Sequence, residues 1–339
     1  MKNRITHIIL MSTGLMLLIS VLFILYEYHR FTHYTIKHQQ VVPQTFIITP
    51  GSSLYQVSHQ LSLRQYHPFP PYYLYFYGRY QQQAHLIKAG EYTLPEETTL
   101  PELFALFVAG RVKQHSFTII EGTTSQQLLT KIANDKRFKH VLPSSQLAEV
   151  MPLLTDKASH GEGEFAADTY YFPLNTTDKA FLQRAYHRQY AILMSEWLNR
   201  AKDLPYKTPY EALIMASIIE KETGIAEERP EISGVFVRRL KKGMRLQTDP
   251  TVIYGMGERY QGNIRSRDLT RDTPYNTYTR YGLPPSPIAI PSQEAIYAAL
   301  HPAKGKSLYF VATGKEGRHA FSNTLIEHNR AVRRYQLKK

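Results

Sequence analysis

The sequence predicts an α+β protein that carries a single transmembrane helix at its N-terminus. Three observations lead to this prediction: a long apolar segment near the first residue, a twice-used pattern of strand, glycine turn and helix, and a capped apolar helix in the second half of the chain. With 339 residues, the chain is long enough for two domains. We therefore predict a small βα subdomain followed by a larger α+β domain.

Residues 8–26 form the predicted membrane anchor, because they are uncharged and mostly apolar. About 20 residues at 1.5 Å each cross a bilayer core of about 30 Å, so the segment is long enough. Lys2 and Arg4 precede it, which favours residues 1–7 as a cytoplasmic tail and the rest of the chain outside. The residues that follow lack a small-x-small cleavage site. The sequence thus predicts a single-pass protein of the cytoplasmic (inner) membrane with an extracytoplasmic body.

Composition limits the function classes that fit this chain. There is no cysteine, which excludes a disulfide framework and cysteine-based metal or nucleophile chemistry. The net charge of +13 predicts anionic partners, such as anionic lipid, a wall polymer or nucleic acid. Because the lysines and arginines are spread along the chain rather than clustered, we expect no nucleic-acid partner.

A strand–glycine–helix pattern occurs twice. Residues 27–42 are polar and predict a juxtamembrane linker, after which TFIITPGSSLYQVSHQL gives the first copy. FTIIEGTTSQQLLTKI gives the second, with Gly122 at the position of Gly51. Each copy has a strand, a glycine turn, a hydroxyl cap and an amphipathic helix, although two βα units can also be similar by chance. Between the copies lies a tyrosine-rich run, 72–80, that we predict to belong to the core.

The sequence TPYEALIMASIIEKETG predicts one helix, and capping residues mark both its start and its end. Thr208 is a hydroxyl N-cap, Glu211 completes a capping box, and Gly224 follows the last turn. The residues between the caps are almost all apolar, which predicts a buried helix. Glu220, in the last turn, is the exception.

Glu220 has the sequence context of a general acid. The small residues Ala216 and Ser217 share its face, which predicts open space beside the carboxyl group. Apolar walls and the negative end of the helix dipole favour the protonated form, as a general acid near neutral pH requires. The alternative is a surface glutamate at a helix end, paired with a lysine.

Several motifs after this helix place amide, hydroxyl and phenol groups on rigid loops, the usual lining of a sugar cleft. In chain order, ASIIEKET, RLQTDPTVIYGMG, NTY, GLPPSPI, AALHPA, LYFVA, HAFSNT and EHN resemble the endolytic murein transglycosylase family, also called MltG or YceG-like. The resemblance is dense from Tyr206 to Val332. It implies a membrane anchor, a LysM-like subdomain at 43–110, and a YceG-like catalytic domain at 111–339 that faces the peptidoglycan.

The resemblance implies a lytic transglycosylase, a carbon–oxygen lyase that acts on polysaccharide. Such an enzyme cleaves the β-1,4 bond between N-acetylmuramic acid and N-acetylglucosamine, forms 1,6-anhydro-muramoyl ends and terminates the elongation of nascent strands. Its catalytic glutamate corresponds to Glu220. The attacking group is the 6-hydroxyl of the same sugar, so orientation replaces the second carboxylate of a hydrolase, and no metal or cofactor is required.

Substrate positioning is assigned, by resemblance and by chemistry, to Gln247, Asp249, Tyr254, Asn276 and Tyr278. The expected partners are peptidoglycan glycan strands, the cytoplasmic membrane and peptidoglycan synthases.

The chain departs from the family at two places. Two aromatic positions and one proline position of the family are occupied here by Glu164, Ala166 and Ala167. Positions where glycine, asparagine and glycine are common hold Ser286, Ile290 and Ser292. These departures bear on the subsites rather than on the reaction.

Two other functions also fit the sequence. The first is a hydrolytic muramidase that uses Asp249, Asp168 or Glu164 as its second carboxylate. The second is a non-catalytic envelope scaffold, in which the LysM-like part binds glycan and the anchor recruits synthases.

Overall fold

The computed structural model describes residues 2–37, 45–157 and 160–337 and shows a mixed helix and strand fold. The chain divides into two compact units. The first comprises residues 1–115 and 172–174, and the second comprises 116–171 and 175–339. The end of the predicted linker, 38–42, lies outside the described residues, as do the first two residues assigned to the LysM-like subdomain.

The helices, in chain order, are α1 (Lys2–His33), α2 (Leu54–Leu63), α3 (Pro71–Tyr80), α4 (Leu100–Ala109), α5 (Ser125–Ala133), α6 (Leu147–Leu154), α7 (Asp178–Leu198), α8 (Pro209–Glu222), α9 (Arg229–Lys241), α10 (Asp249–Met256), α11 (Ser266–Thr270), α12 (Gln293–Leu300) and α13 (Leu325–Tyr335). The strands are β1 (Thr35–Lys37), β2 (Thr45–Ile48), β3 (Gly90–Thr93), β4 (Glu97–Thr99), β5 (Gln114–Ile119), β6 (Phe138–Lys139), β7 (Asp168–Pro173), β8 (Thr176–Thr177), β9 (Tyr309–Ala312) and β10 (His319–Ser322). Among the described residues they pair two by two: β1 with β4, β2 with β3, β5 with β7, β6 with β8 and β9 with β10. The β6–β8 pair is parallel.

The α1 helix continues beyond the predicted anchor, and its C-terminal part contributes to the core of the first unit. Of the helices in the described residues, it alone is long and apolar enough to cross a membrane. Its residue Phe31 is 2% exposed and packs edge-on against Phe69, with ring centroids 5.6 Å apart. Ile36 of β1 is equally buried, and β1 pairs with β4. The described part of the predicted linker, 27–37, is therefore structured, because these two side chains attach it to the core.

Both copies of the predicted strand–glycine–helix pattern are present. In the first, β2 leads through Gly51, whose φ is +84°, to a capping box at the start of α2. In the second, β5 leads through Gly122, whose φ is +73°, to a capping box at the start of α5. A left-handed φ at both turns explains the glycine, since other residues rarely adopt it. The local structure predicted for the two copies is confirmed.

The tyrosine-rich run forms α3, and only one face of this helix belongs to the core. Leu74 and Gly78 are buried. On the opposite face, Tyr72, Phe76 and Tyr80 are 49%, 63% and 79% exposed. The prediction that the run is core is therefore wrong for these three residues.

The α8 helix is the centre of the second unit. Every residue from Ala212 to Ile219 is buried. The helix packs against α7, α9, α10 and α12, and its core neighbours include Phe236 of α9 and Ile296 of α12. An apolar helix surrounded on several sides in this way is the buried helix that the sequence predicts.

The ends of α8 differ in detail from the prediction. Thr208 caps the helix by accepting the Glu211 N–H at 3.2 Å. The Glu211 carboxylate, however, accepts the N–H of Lys207 and not that of Thr208, so the capping box is not closed. At the other end, an extended Thr223 terminates the helix, and Gly224 is not left-handed.

Candidate active site

Glu220 is held at the C-terminal end of α8 by donors from two other elements. Its side chain is 5% exposed. One carboxylate oxygen, Oε2, accepts the backbone N–H of Ser292 at 3.0 Å and also the Ser292 hydroxyl. The other, Oε1, lies 3.5 Å from Nη2 of Arg229, the first residue of α9. These contacts fix the orientation of a carboxylate that is almost removed from solvent.

The small residues beside Glu220 admit a loop rather than an open space. Ala216 and Ser217 are both 0% exposed. The Ser217 hydroxyl accepts the Ile288 N–H at 3.0 Å, which docks the 286–292 loop onto α8. The prediction of open space is wrong, because backbone from a distant loop fills the space. Arg229 also places a charge beside the carboxylate.

Ser292 is one of the positions where the chain departs from the family resemblance. Its hydroxyl accepts the Ala295 N–H at 3.2 Å as the N-cap of α12, and donates to Glu220. A glycine here could supply only the backbone donor. The hydroxyl contact with Glu220 is thus a consequence of this chain's own residue.

Glu222 is a second carboxyl group at the same helix end, and the sequence reading missed it. Burial raises the pKa of Glu222 to about 7, and the Asp249 carboxylate adds to the rise. A hydrogen bond from the Thr248 hydroxyl and the charges of His319 and Arg239 act in the opposite direction. The sequence signal that could have indicated Glu222 is the second glutamate of EKET. The burial of this glutamate, however, depends on contacts that no local sequence pattern shows.

Gln247, Asp249 and Tyr278 come together beside Glu222. The Tyr278 hydroxyl donates to Oδ1 of Asp249 at 2.6 Å. Burial, together with this contact, raises the pKa of Tyr278, which keeps its phenol protonated. Gln247 is exposed and adopts a φ of +53°, a conformation that costs a non-glycine residue of order 1–3 kcal/mol. Its N–H donates to the Thr277 carbonyl at 3.1 Å, which helps to hold it there.

Tyr254 and Asn276 have protein partners instead of facing solvent. The Tyr254 hydroxyl donates to Oε2 of Glu162 at 3.0 Å, and burial raises the pKa of both groups. Asn276 is 1% exposed, and its amide donates to backbone carbonyls of Asp268, Leu269 and Arg271. The structure therefore places these two side chains where they hold loops.

The second copy of the strand–glycine–helix pattern borders the site. The Gly122 carbonyl accepts the Lys221 ammonium at 3.1 Å. The Gly122 N–H donates to the Ile290 carbonyl at 2.8 Å, and the Ile290 N–H donates to the Thr123 carbonyl at 2.8 Å. Reciprocal backbone bonds thus tie this turn to the loop that carries Ser292.

Asp168 and Glu164, the other two carboxylates considered for a hydrolase, are not in the group beside Glu222. Asp168 forms an ion pair with Arg188. Glu164 accepts the Gly161 N–H at 3.3 Å and lines a cavity together with Thr208 and Leu213, near the N-terminal end of α8.

Within the altered segment beside Glu164, Ala166 is packed inward. It is 1% exposed, and its N–H donates to the Ala185 carbonyl at 3.1 Å, so its side chain offers no surface to a ligand. Ala167 is half-buried.

The chemistry available at the site is that of proton transfer and hydrogen bonding. Carboxyl, hydroxyl, amide and guanidinium groups surround the end of α8. Within the part of the chain that the structure describes, no group of three or more His, Asp or Glu side chains is placed to hold a metal ion. The arrangement suits a polar, uncharged bond that is broken with the help of an acid.

Comparison with known proteins gives a consistent result. The YceG-like family matches residues 46–334. A Bacillus subtilis (strain 168) protein named endolytic murein transglycosylase is 31% identical over 277 residues, which cover 77% of this chain and 76% of that protein. A protein of the same name from Streptococcus pneumoniae (strain ATCC BAA-255 / R6) is 30% identical over 249 residues, or 71% of this chain and 43% of that protein.

A solved structure is also similar. The crystal structure of a yceG-like protein from Listeria monocytogenes is 28% identical, with a TM-score of 0.51, over 85% of this chain and 99% of that one. Since the family match covers most of the sequence, the chain belongs to the YceG-like family.

Proposed function

We propose that this protein is a lytic transglycosylase of peptidoglycan, with Glu220 as its general acid and base. The observation that carries the proposal is a buried glutamate in the ASIIEKET motif, oriented by Ser292 and Arg229. Relatives named endolytic murein transglycosylase support it. The proposed substrate is the β-1,4 bond between N-acetylmuramic acid and N-acetylglucosamine within glycan strands, and its cleavage ends the growth of nascent strands.

The proposed reaction needs two proton transfers and no water. Glu220 donates its proton to the glycosidic oxygen, and the bond from this oxygen to C1 of the muramic acid breaks. The 6-hydroxyl of the same sugar attacks C1 and returns its proton to Glu220, which leaves a 1,6-anhydro end. Between the two transfers Glu220 is a carboxylate, and the Arg229 guanidinium at 3.5 Å stabilises that charge.

The polar residues after α8 are proposed to position the substrate in two ways. Gln247, Asp249 and Tyr278 are proposed to bind sugar directly. The exposure of Gln247 and Asp249 and the hydrogen bond from Tyr278 to Asp249 support this role. Tyr254 and Asn276 act through the loops that they hold.

The hydrolytic alternative requires a second carboxylate within about 5–9.5 Å of the acid. Glu164 lines a cavity with Leu213 and Thr208, which precede Glu220 by about 10 Å or more along α8 at 1.5 Å per residue. Asp168 is paired with Arg188. Of the three carboxylates that the hydrolytic reading named, Asp249 is the one beside the C-terminal end of α8.

Glu220→Gln tests the proposal. Wild type and variant are incubated with purified sacculi, and mass spectrometry of the released fragments counts anhydro and reducing ends. We expect anhydro ends from the wild type and a loss of about 100- to 10,000-fold in the variant, because Gln cannot deliver a proton.

Glu227→Gln, a change at an exposed glutamate in the same region, is the matched control and should cleave normally. Reducing ends from the wild type would identify a muramidase. Binding to sacculi without any release would identify a scaffold, and near-normal cleavage by a well-folded Glu220→Gln protein would remove Glu220 from the mechanism.

Anchoring in the cytoplasmic membrane is a further part of the proposal. No residue in the window of α1 that is apolar enough to span a bilayer is buried. A reporter that is active only in the cytoplasm, fused after Lys339, should therefore be silent. An active reporter would refute this topology.

Glycan binding by the LysM-like part and recruitment of peptidoglycan synthases complete the proposal. A deletion of residues 35–110 includes β1, since β1 pairs with β4. It should weaken pelleting with sacculi at raised salt, where the basic charge alone holds less protein on the wall. Unchanged pelleting would contradict this role.

A further inference from the structure

A row of aromatic side chains lies exposed along α3. Tyr72, Phe76 and Tyr80 follow one another at intervals of four residues, and the largest exposed fraction among them is 79%. A helix that faces only water would carry polar residues on this side. A contiguous apolar surface of this kind marks an interaction site.

This row, which we call the aromatic stripe, lies beside the outer end of the predicted membrane span. Phe23 and Ile24 of α1 line one groove together with the aromatic stripe. On the next turns of α1, Phe31 packs against Tyr77, with ring centroids 5.5 Å apart. Residues 23–31 cover about 12 Å of helix at 1.5 Å per residue, and the predicted span ends among them at residue 26. The aromatic stripe is therefore at the level where the apolar span ends.

The charges in this region suit a membrane surface. Glu27, the acidic residue of the groove, accepts the Tyr73 hydroxyl at 2.9 Å and forms an ion pair with Arg30 at 3.1 Å. No unpaired carboxylate of the groove would therefore have to enter the headgroup region. Arg79, next to the aromatic stripe, is exposed and can meet lipid phosphates.

We infer that the aromatic stripe inserts into the headgroup region of the bilayer, so that the first unit is attached to the membrane surface by α3 as well as by α1. Tyrosine suits this depth, because its ring is apolar and its hydroxyl can stay hydrated. The inference rests on the proposed insertion of α1. Continuity of the aromatic stripe with the apolar span favours lipid as the occupant over a second copy of this chain.

Single-tryptophan variants of the full-length protein test the inference in nanodiscs that hold one copy each. The native Trp197 is replaced by Phe, and one tryptophan is added at Phe76, at Phe23 or at Ile47. Ile47 is 45% exposed on β2, and β2 contributes no residue to the groove, so it is the matched control. Lipids brominated near the headgroup or deep in the chain quench a nearby tryptophan, and thermal unfolding checks that each variant is folded.

We expect Phe76→Trp to be quenched mainly by the shallow bromine, Phe23→Trp by both, and Ile47→Trp by neither. Quenching at Phe23 without quenching at Phe76 would overturn the inference and leave the anchor intact. Equal quenching at Ile47 would also overturn it. Absence of quenching at all three positions would refute the insertion of α1 itself, whatever the outcome of the cleavage assay.

Discussion

The two copies of the strand–glycine–helix pattern have the same local structure in different surroundings. In the first copy, Leu54 and Val57 of α2 are buried in the apolar core of the first unit. In the second, Ser125 stands at the position of Leu54 and is just as buried. It is surrounded by polar partners, however: its N–H donates to Glu162 at 2.7 Å, and its hydroxyl donates to the Gly161 carbonyl at 2.9 Å.

This difference separates what local sequence determines from what it does not. A left-handed glycine and a hydroxyl cap produce the same turn and helix start in both places. What each copy contributes to the structure depends on the residue that follows the hydroxyl cap. A leucine builds a core, whereas a serine connects the turn to a buried glutamate and, through Tyr254, to α10.

The largest expected effect on stability comes from Leu54→Ala in the first copy. Removing a buried leucine side chain costs about 2–5 kcal/mol of unfolding free energy. Hydrogen exchange should accelerate across 45–115, while cleavage of soluble glycan fragments by the second unit stays normal. A matching fall in the cleavage rate would show that the first copy also supports the site.

A smaller loss of stability and a larger loss of function are expected for Ser125→Ala. The variant removes one partner of the Gly161 carbonyl, which also accepts the Glu164 N–H, and one partner of the Gly163 N–H, which also donates to Glu162. Each lost hydrogen bond costs about 0.5–1.5 kcal/mol. Glu162 and Tyr254 should shift, so the cleavage rate per folded molecule should fall.

The control for this prediction is the same change in the first unit. Ser58 is buried, and its hydroxyl donates to the Pro71 carbonyl. Ser58→Ala should lower the melting temperature by a comparable amount without changing cleavage. If Ser125→Ala and Ser58→Ala behaved alike in the cleavage assay, the proposed contrast between the copies would be lost.

Two carboxyl groups whose pKa values are shifted in opposite directions are expected to make the stability of the protein depend on pH. In the first unit, burial acts to raise the pKa of Glu91, but hydrogen bonds and charges of Lys113 and His115 leave it below its usual value. In the second unit, the pKa of Glu222 rises from 4.5 to about 7. Glu91 thus contributes stability that is lost as pH falls through its folded pKa, whereas the folded state loses stability through Glu222 as pH rises from about 4.5 to about 7.

Melting temperatures between pH 4 and 8 test these signs. Glu91→Gln should be less stable than wild type near pH 7, and this difference should narrow as pH falls towards 4. Glu222→Gln should match the wild type near pH 4.5 and become the more stable protein as pH rises to about 7. A constant offset between either variant and the wild type across this range would contradict the assignment.

The structural features that could be predicted are those that depend on residues close together in the sequence. The Thr208 N-cap and the apolar run of α8, and the position of Glu220 in its last turn, need only neighbouring residues. The partners of Glu220 could not be predicted, since Ser292 lies 72 positions away along the chain. The small side chains next to Glu220 predict open space, although small residues also allow close packing of a loop.

The burial or exposure of individual side chains was the other property that could not be predicted from the sequence. The tyrosine-rich run 72–80 is predicted to belong to the core, but a helix can bury only part of its circumference. Likewise, the prediction of a polar linker at 27–37 does not account for Phe31 and Ile36. These two buried side chains attach the segment to the core of the first unit.

The separations between contacts at the site have a consequence for folding. Lys221 meets Gly122 across 99 positions, and Glu220 meets Ser292 across 72. Contacts between distant positions close late, because a long loop must be ordered first. A chain that leaves the ribosome N-terminus first has made α8 before Ser292 exists, so it carries the glutamate without the donors that hold it. Completion of the site is thereby postponed until nearly the whole second unit has been made, and an unfinished chain carries an incomplete site by its topology alone.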